Sequence, residues 1–277
     1  MTALSVLIPA HDEAAYLPAC LEAVFASEPV DGGAELIVIA NGCADATAQI
    51  ARDLGQAGKD AGWPVRVLDL AEGGKLNALN VGEAAATGRV LAYLDADVRV
   101  SPPLMARIAT ALAGEEARYA SGVPVVTGGA DWVTRSYTRF WQTTPFMTQG
   151  VPGFGIFAMN RAGRARWGDW PDIISDDTFA RLQFAPKERQ QVSAPYEWPM
   201  IEGFANLVRV RRRQDAGVAE VAARYPKLLE NEDPTGRAAP LWARALKDPA
   251  GFAAYLAVRL TTRLPVLRSA DRWARGR

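Results

Sequence analysis

Four short apolar runs, each closed by a polar cluster, organise the first hundred residues: LSVLIP (4–9), AELIVIA (34–40), VRVLDL (65–70) and RVLAYL (89–94). Runs this short and this continuous fit strands that are covered on both faces of a parallel sheet. The segments between them repeat at helical spacing. Ala14, Leu17, Leu21, Val24 and Phe25 share one helical face, and the polar HDE before them offers a cap for that helix. ATAQIARDLGQAGKDAG after Asp45 and GKLNALNVGEAA read as further helices. Strands that alternate with helices of this length predict a doubly wound α/β sheet.

Beyond DADV (95–98) the pattern loosens. SPPLMARIATALAG predicts a helix opened by Ser101 and two prolines, YASGVPVV a strand, and ADWVTRSYTRFWQ an aromatic-rich helix. PGFGIFAMN reads as a strand and ISDDTFARLQF as a loop entering a helix. From about Tyr225 the chain turns polar and proline-rich, which divides it into residues 1–224 and an extension over 225–277. Within the larger part, 1–100 and 101–224 form two halves.

Composition acts mainly by exclusion. Lys plus Arg and Asp plus Glu both total 31, so the net charge is zero and no nucleic-acid partner is indicated. Cys20 and Cys43 make no disulfide framework and suit a reducing cytosol. The start lacks the basic, apolar order of a signal peptide. No apolar stretch reaches the roughly 18 residues of a membrane span. A cytoplasmic location is therefore expected. Charge is uneven, however. Residues 252–277 carry six arginines against Asp271 alone. Mixed with Phe252, Tyr255, Leu256, Leu260, Leu264 and Leu267, they fit either a helix packed on the rest of the chain or peripheral contact with an anionic inner membrane face.

Every strand of a parallel sheet ends on the same edge, so PAHDE (9–13), NGCAD (41–45), EGGK (72–75) and DAD (95–97) should converge. Two carboxylates at the mouth of a buried strand need water or a cation, because desolvating them alone costs several kcal/mol. Asp95 and Asp97 thus read as a solvated turn or as ligands of a hard cation, Mg²⁺ or Mn²⁺, shared with phosphate oxygens. Lys75 after two glycines, opening a helix, suits an anion or an ordinary surface loop. Asp176 and Asp177 in SDD fit the acidic start of a helix as well as a chemical role. His11 reads as a local hydrogen-bonding residue, and Trp167 and Trp170 as core residues or as a sugar-stacking platform.

VLIPAHDEAAYLPACLEAV, VIANGCADAT, GGKLNALNVG, LAYLDADV and ISDDTFARLQF, in this order over about residues 4–215, resemble the motifs of family 2 glycosyltransferases. The resemblance implies a glycosyltransferase-A fold, here a mostly parallel central sheet flanked by helices with a C-terminal helical extension. It implies a nucleotide diphosphate sugar donor, a divalent metal, a saccharide or lipid-linked acceptor, and inversion at the anomeric carbon. Pro9, Ala10 and Glu13 match the segment along the nucleoside, and Asn41 falls in the base-proximal segment. Asp95 matches the acid towards the nucleotide, Asp97 the metal-ligating acid, and Lys75 the basic residue facing donor phosphate or nucleoside. Asp177 matches the catalytic base and Asp176 the acid preceding it. Arg212 and Arg213 stand where relatives place a diphosphate-binding motif, although LVRVRRRQDAG does not reproduce it; a solvated basic helix face is the other reading. Ala40 and Asn41 replace a commonly acidic pair, which leaves the nucleotide base open. A nucleotidyltransferase and a non-catalytic nucleotide-sugar or saccharide-binding protein remain alternatives.

Overall fold

A computed structural model describes residues 2–234 and 239–264. In chain order the elements are β1 (Leu4–Ala10), α1 (Leu17–Phe25), β2 (Ala34–Asn41), α2 (Thr47–Asp53), α3 (Gly55–Asp60), β3 (Val65–Leu70), α4 (Lys75–Ala85) and β4 (Val90–Leu94). Then follow β5 (Arg99–Val100), α5 (Leu104–Ala111), β6 (Tyr119–Thr127), α6 (Trp132–Trp141), α7 (Pro145–Thr148), β7 (Ile156–Asn160), α8 (Arg161–Arg164) and α9 (Asp176–Leu182). The chain closes with β8 (Arg189–Pro199), α10 (Phe204–Arg224), α11 (Leu241–Lys247) and α12 (Pro249–Arg263). Arg268, Arg272, Arg275 and Arg277 of the basic tail lie outside the described residues.

The eight strands form one sheet in the order β3-β2-β1-β4-β7-β6-β8-β5. The four early strands are parallel: β1 pairs with β2 (Leu4 opposite Ala34) and β4 (Leu4 opposite Val90), and β2 pairs with β3. The other half is antiparallel, with Tyr93 opposite Phe157 between β4 and β7, and further pairs between β6 and β7 and between β5 and β8. The expected mostly parallel sheet is thus a mixed one. Leu4, Leu7, Ile8, Leu36, Ile37 and Ile39 are fully buried, each contributing about 1.5–3 kcal/mol. The chain leaves β1 to build β2 and β3, then returns to its other side as β4. That reversal makes the carboxyl ends of β1 and β4 the place where an open α/β sheet forms a crevice.

Two compact units divide the chain. The first holds residues 1–125, 153–172 and 183–198, with the sheet and its covering helices; the second holds 126–152, 173–182 and 199–277. In the second, α12 packs on α6 and α10. The Phe252 and Tyr255 rings lie 5.4 and 5.2 Å from Phe140, and Tyr255 stacks on Tyr137 at 5.7 Å. Arg259 pairs with Asp215 at 2.8 Å, and Asp248 caps α12 through the Gly251 amide while pairing with Arg139 at 2.7 Å. Over 252–263 the tail is a helix packed on its unit.

Several local expectations change. HDE does not cap α1, which starts at Leu17 with no side-chain cap. Asp12 instead adopts a left-handed φ of 49° and accepts the Ala44 and Asp45 amides, tying two loops together. The helix after Asp45 breaks at Leu54, before Gly55, into α2 and α3. The strand expected at PGFGIFAMN begins only at Ile156, because Gly153 and Gly155 take φ of 71° and 74°.

Candidate functional site

The four polar clusters do meet at the strand ends of the first unit, and hydrogen bonds between loops fix them there. Asn41, 3% exposed, donates to the Ala10 carbonyl at 2.7 Å and accepts the Gly74 amide at 3.0 Å. It therefore joins β1, β2 and the loop entering α4, and its amide is used within the protein. Gly42 (φ 62°) sits so close to that loop that a Cβ would lie 2.5 Å from the Gly73 nitrogen, so only glycine fits. Pro9 is half-buried and Ala10 buried; the Ala10 carbonyl also accepts the Cys43 thiol at 3.4 Å. The Glu13 amide donates to the Thr47 hydroxyl at 2.7 Å and its carbonyl accepts the Leu17 amide, anchoring the first turn of α1.

Asp95 and Asp97 flank buried Ala96 in a tight turn, and both are half-buried. The Asp95 amide donates to the Gly155 carbonyl at 2.9 Å, and the Asp95 carbonyl accepts the Val98 amide at 3.1 Å. Gly155 has to be glycine, since a Cβ would press on Trp198 at 2.7 Å and Val98 at 3.0 Å. Lys75, the first residue of α4, reaches across to Asp95 Oδ1 at 3.0 Å. With side chains 29% and 39% exposed, that pair is partly solvated and its strength modest. Beneath them lies buried Cys20. Burial pushes its thiol well up, and the charges of Asp97, Asp95 and Glu13 push it further in the same direction. Asp95 and Asp97 thus stand in one turn at the strand end, with a lysine and a helix start beside Asp95. Oxygen donors of this kind fit a hard divalent cation and a polyanion.

A second donor set lies nearby. His11, Asp12 and Cys43 bring ligand atoms within 4.8 Å of one another. Each already serves the loops, as His11 Nδ1 meets the Asn41 carbonyl at 2.7 Å and the Asp12 amide donates to Cys43 Sγ. His11 is the local hydrogen-bonding residue its position predicts.

Asp176 and Asp177 open α9 in the second unit. Asp176 is 5% exposed, whereas Asp177 is half-buried and accepts the Ser175 hydroxyl at 2.8 Å and the Thr178 amide at 2.7 Å. Sequence reasoning missed the groups that hold this turn: Glu220 accepts the Ile174 amide at 2.9 Å, and Arg181 pairs with Glu232 and Asp233 at 2.9 and 2.8 Å. These partners lie 46 to 52 residues away and leave no local signal. On α10, Arg212 donates to the carbonyls of Thr261, Thr262 and Leu264 and so caps α12, while Arg213 is half-buried on the same helix. Trp170 is 4% exposed and donates to Glu83, which also accepts Arg164 and Tyr93; Arg164 lies 4.6 Å over the ring of Trp167. Trp170 is thus a core residue of a packed polar cluster, and half-buried Trp167 lies at its edge.

Glycosyl transferase family 2 matches residues 5–173. The chain belongs to that family. Among curated relatives, a dolichyl-phosphate beta-glucosyltransferase of Drosophila melanogaster is 40% identical over 101 residues, 34% of this chain and 30% of that one. The uncharacterized glycosyltransferase YibD of Escherichia coli is 29% identical over 143 residues, 51% of this chain and 38% of that one. The matches therefore span less than half the length of these relatives. Among solved structures, the mannosyltransferase PcManGT from Pyrobaculum calidifontis, in complex with GDP-Man and Mn²⁺, superposes with a TM-score of 0.59 at 20% identity, covering 94% of this chain and 74% of that one. S. aureus TarS 1-349 gives 0.58 at 13% identity, over 94% and 72%. At these identities the likeness is one of fold, and it agrees with the glycosyltransferase-A architecture expected for the family 2 chain.

Proposed function

We propose that this family 2 protein is an inverting glycosyltransferase that moves a sugar from a nucleotide diphosphate donor to a hydroxyl of a saccharide or lipid-linked glycan, a step of glycan or polysaccharide assembly. The observation that carries it is the meeting of Asp95, Asp97, Lys75 and the start of α4 at one sheet edge. In this reading residues 1–100 hold the donor, 101–224 the acceptor, and 225–277 form an extension. The acceptor names a place of action, the inner face of a membrane, when the glycan is lipid-linked.

Asp97, with Asp95, would hold Mg²⁺ or Mn²⁺, which when bound supplies positive charge against the leaving diphosphate. Lys75, now paired with Asp95, would face donor phosphate, and Pro9, Ala10, Glu13 and Asn41 shape the nucleoside side. Arg213 is assigned to the diphosphate as well. Asp177 takes the proton of the acceptor hydroxyl while its oxygen bonds to the anomeric carbon and the bond to the diphosphate breaks. Asp176 precedes it as the first residue of α9.

A thermal-shift panel of nucleoside diphosphates with Mn²⁺, followed by product analysis, tests the assignment. A matching ligand at 100 times its Kd should add about 2.7 kcal/mol of stability. Transfer must release a nucleoside diphosphate. Pyrophosphate release would make the protein a nucleotidyltransferase, and binding without turnover a non-catalytic receptor. Full activity in excess chelator would remove the metal.

A further inference from the structure

Resting on the lipid-linked acceptor proposed above, we infer that the outward faces of α11 and α12 form a docking surface for an anionic lipid bilayer. α12 is apolar on two sides. Its inner side is spent on Phe140 and Tyr137, and Ala254 and Val258 are buried there. Its outer side carries Leu256 and Leu260, 40% and 53% exposed, with exposed Ala253 and Ala257 completing a stripe at helical spacing, and Leu264, 52% exposed, follows just past its end. A helix apolar all round is ordinarily buried all round. α11 packs on α12 and adds Leu241, Trp242 and Leu246 at 51%, 68% and 76% exposure. Six of the thirteen exposed large apolar side chains among the described residues thus fall within 241–264.

Charge decides what covers this surface. Residues 239–277 hold eight Lys and Arg against Asp248 and Asp271; of these Asp248 is paired with Arg139 and Arg259 with Asp215, which leaves the segment cationic. A second copy of the chain would set this cationic segment against itself, whereas anionic headgroups complement it. Leucines and a tryptophan beside arginines suit the headgroup boundary, where apolar side chains enter the acyl region and guanidinium groups stay with phosphate. No helix among the described residues is long and apolar enough to cross a membrane, so α11 and α12 lie on the surface. The membrane contact therefore begins at Leu241, eleven residues ahead of the basic tail read from sequence.

Co-sedimentation of the full chain with phosphatidylcholine vesicles, with and without phosphatidylglycerol, tests the surface. Binding should be at least about tenfold stronger to the anionic vesicles and weaken with salt. The triple variant Leu246→Glu, Leu256→Glu, Leu260→Glu replaces only exposed side chains, and should lose binding at least about tenfold with its thermal unfolding unchanged. Should that variant unfold, Lys247→Glu with Arg263→Glu provides the same loss through charge alone. Equal binding to both vesicles, no binding, or binding that survives both variants overturns the proposal. A wild-type dimer that the triple variant dissociates, seen by light scattering, assigns the face to a second copy and overturns it too. Hydrolysis of a nucleotide sugar donor, measured without vesicles, should be the same in the wild type and these variants. Its absence from all of them would refute the transferase reading and leave the membrane result standing.

Discussion

Asp95 stands at the end of a fully buried strand, its amide on Gly155 and its carboxylate on Lys75, whereas Asp177 opens a seven-residue helix and is held by the hydroxyl of Ser175 and its neighbour's amide. In the first unit the sheet backbone sets the position of the acids. In the second, α9 owes its place to long-range side-chain pairs: Arg181 with Glu232 and Asp233, and Glu220 with the Ile174 amide. An acid set by backbone keeps its place when its own side chain changes. Substitutions should therefore separate chemistry from structure more cleanly at Asp95 and Asp97 than around Asp177.

The largest expected effect tests the roles of the two acid pairs. Asp177→Asn keeps the shape of the side chain and its acceptor oxygen for Ser175 but removes the base, and general-base catalysis contributes about 10²- to 10⁴-fold. Turnover should fall by that factor while donor affinity stays within a few-fold. Asp97→Asn should act the other way, weakening donor and Mn²⁺ binding first. Steady-state kinetics with donor titration in the presence of Mn²⁺ reads both. Near-normal turnover in Asp177→Asn with none in Asp176→Asn would move the base one residue earlier.

A second contrast lies in buried charge. In the first unit Glu83 and Arg164 are only 11% and 12% exposed and lie 2.6 Å apart, and Glu83 also accepts Tyr93 and Trp170. Glu83→Ala strands a buried guanidinium and should cost about 3–5 kcal/mol in urea unfolding. In the second unit Arg181 faces two acids that are 45% and 26% exposed. Glu232→Gln leaves Asp233 in place and should cost about 1 kcal/mol or less. Equal losses would mean that the second unit is braced as tightly as the first.

The same contrast explains what the sequence reveals. β1 to β4 and the polar clusters that end them are legible because an apolar run and its cap are adjacent in the chain, and parallel topology then brings the ends together. Asp95, Asp97 and Lys75 needed no knowledge of distant residues. HDE misled because a left-handed Asp12 spends its carboxylate on amides 32 and 33 residues away, a use that composition does not announce. The chemistry of Asn41 is likewise absorbed by a loop 33 residues on. β8 passed unread because RQQVSAPYEWP mixes two prolines with polar residues, and its pairing with the two-residue β5 spans nearly a hundred positions. Between a core residue and a sugar platform, Trp170 is decided by burial and by Glu83, 87 residues earlier, which accepts its indole N–H. Where partners are local the reading holds, and where they are remote only the folded chain supplies them.

The smallest expected effect comes from one acid in each unit, both held low for different reasons. Glu188 in the first unit lies 2.6 Å from Arg166, and that guanidinium brings its carboxyl down to about 2 against the opposing effect of burial. Asp131 in the second caps α6. Burial alone would raise its carboxyl, but hydrogen bonds from the Thr134 hydroxyl and amide and from the Gly203 amide outweigh it and bring it to about 2. Both values lie below those of the unfolded chain, about 4.3 for Glu and 3.9 for Asp. Each stabilisation is therefore complete above the unfolded value and is lost as pH falls through about 2. Discounted for partial exposure, each is worth about 1 kcal/mol. Salt tells them apart. At about 1 M the Debye length shrinks to about 3 Å, which should weaken the ion pair of Glu188 and leave the mostly neutral donors of Asp131 nearly untouched. Urea unfolding between about pH 5 and pH 2 should show Glu188→Gln flattening the acid slope at low salt only. Asp131→Asn, which still caps a helix, should flatten it at both ionic strengths. If high salt erases the contribution of Asp131 as well, a charge and not its hydroxyl and amide donors holds that carboxylate down.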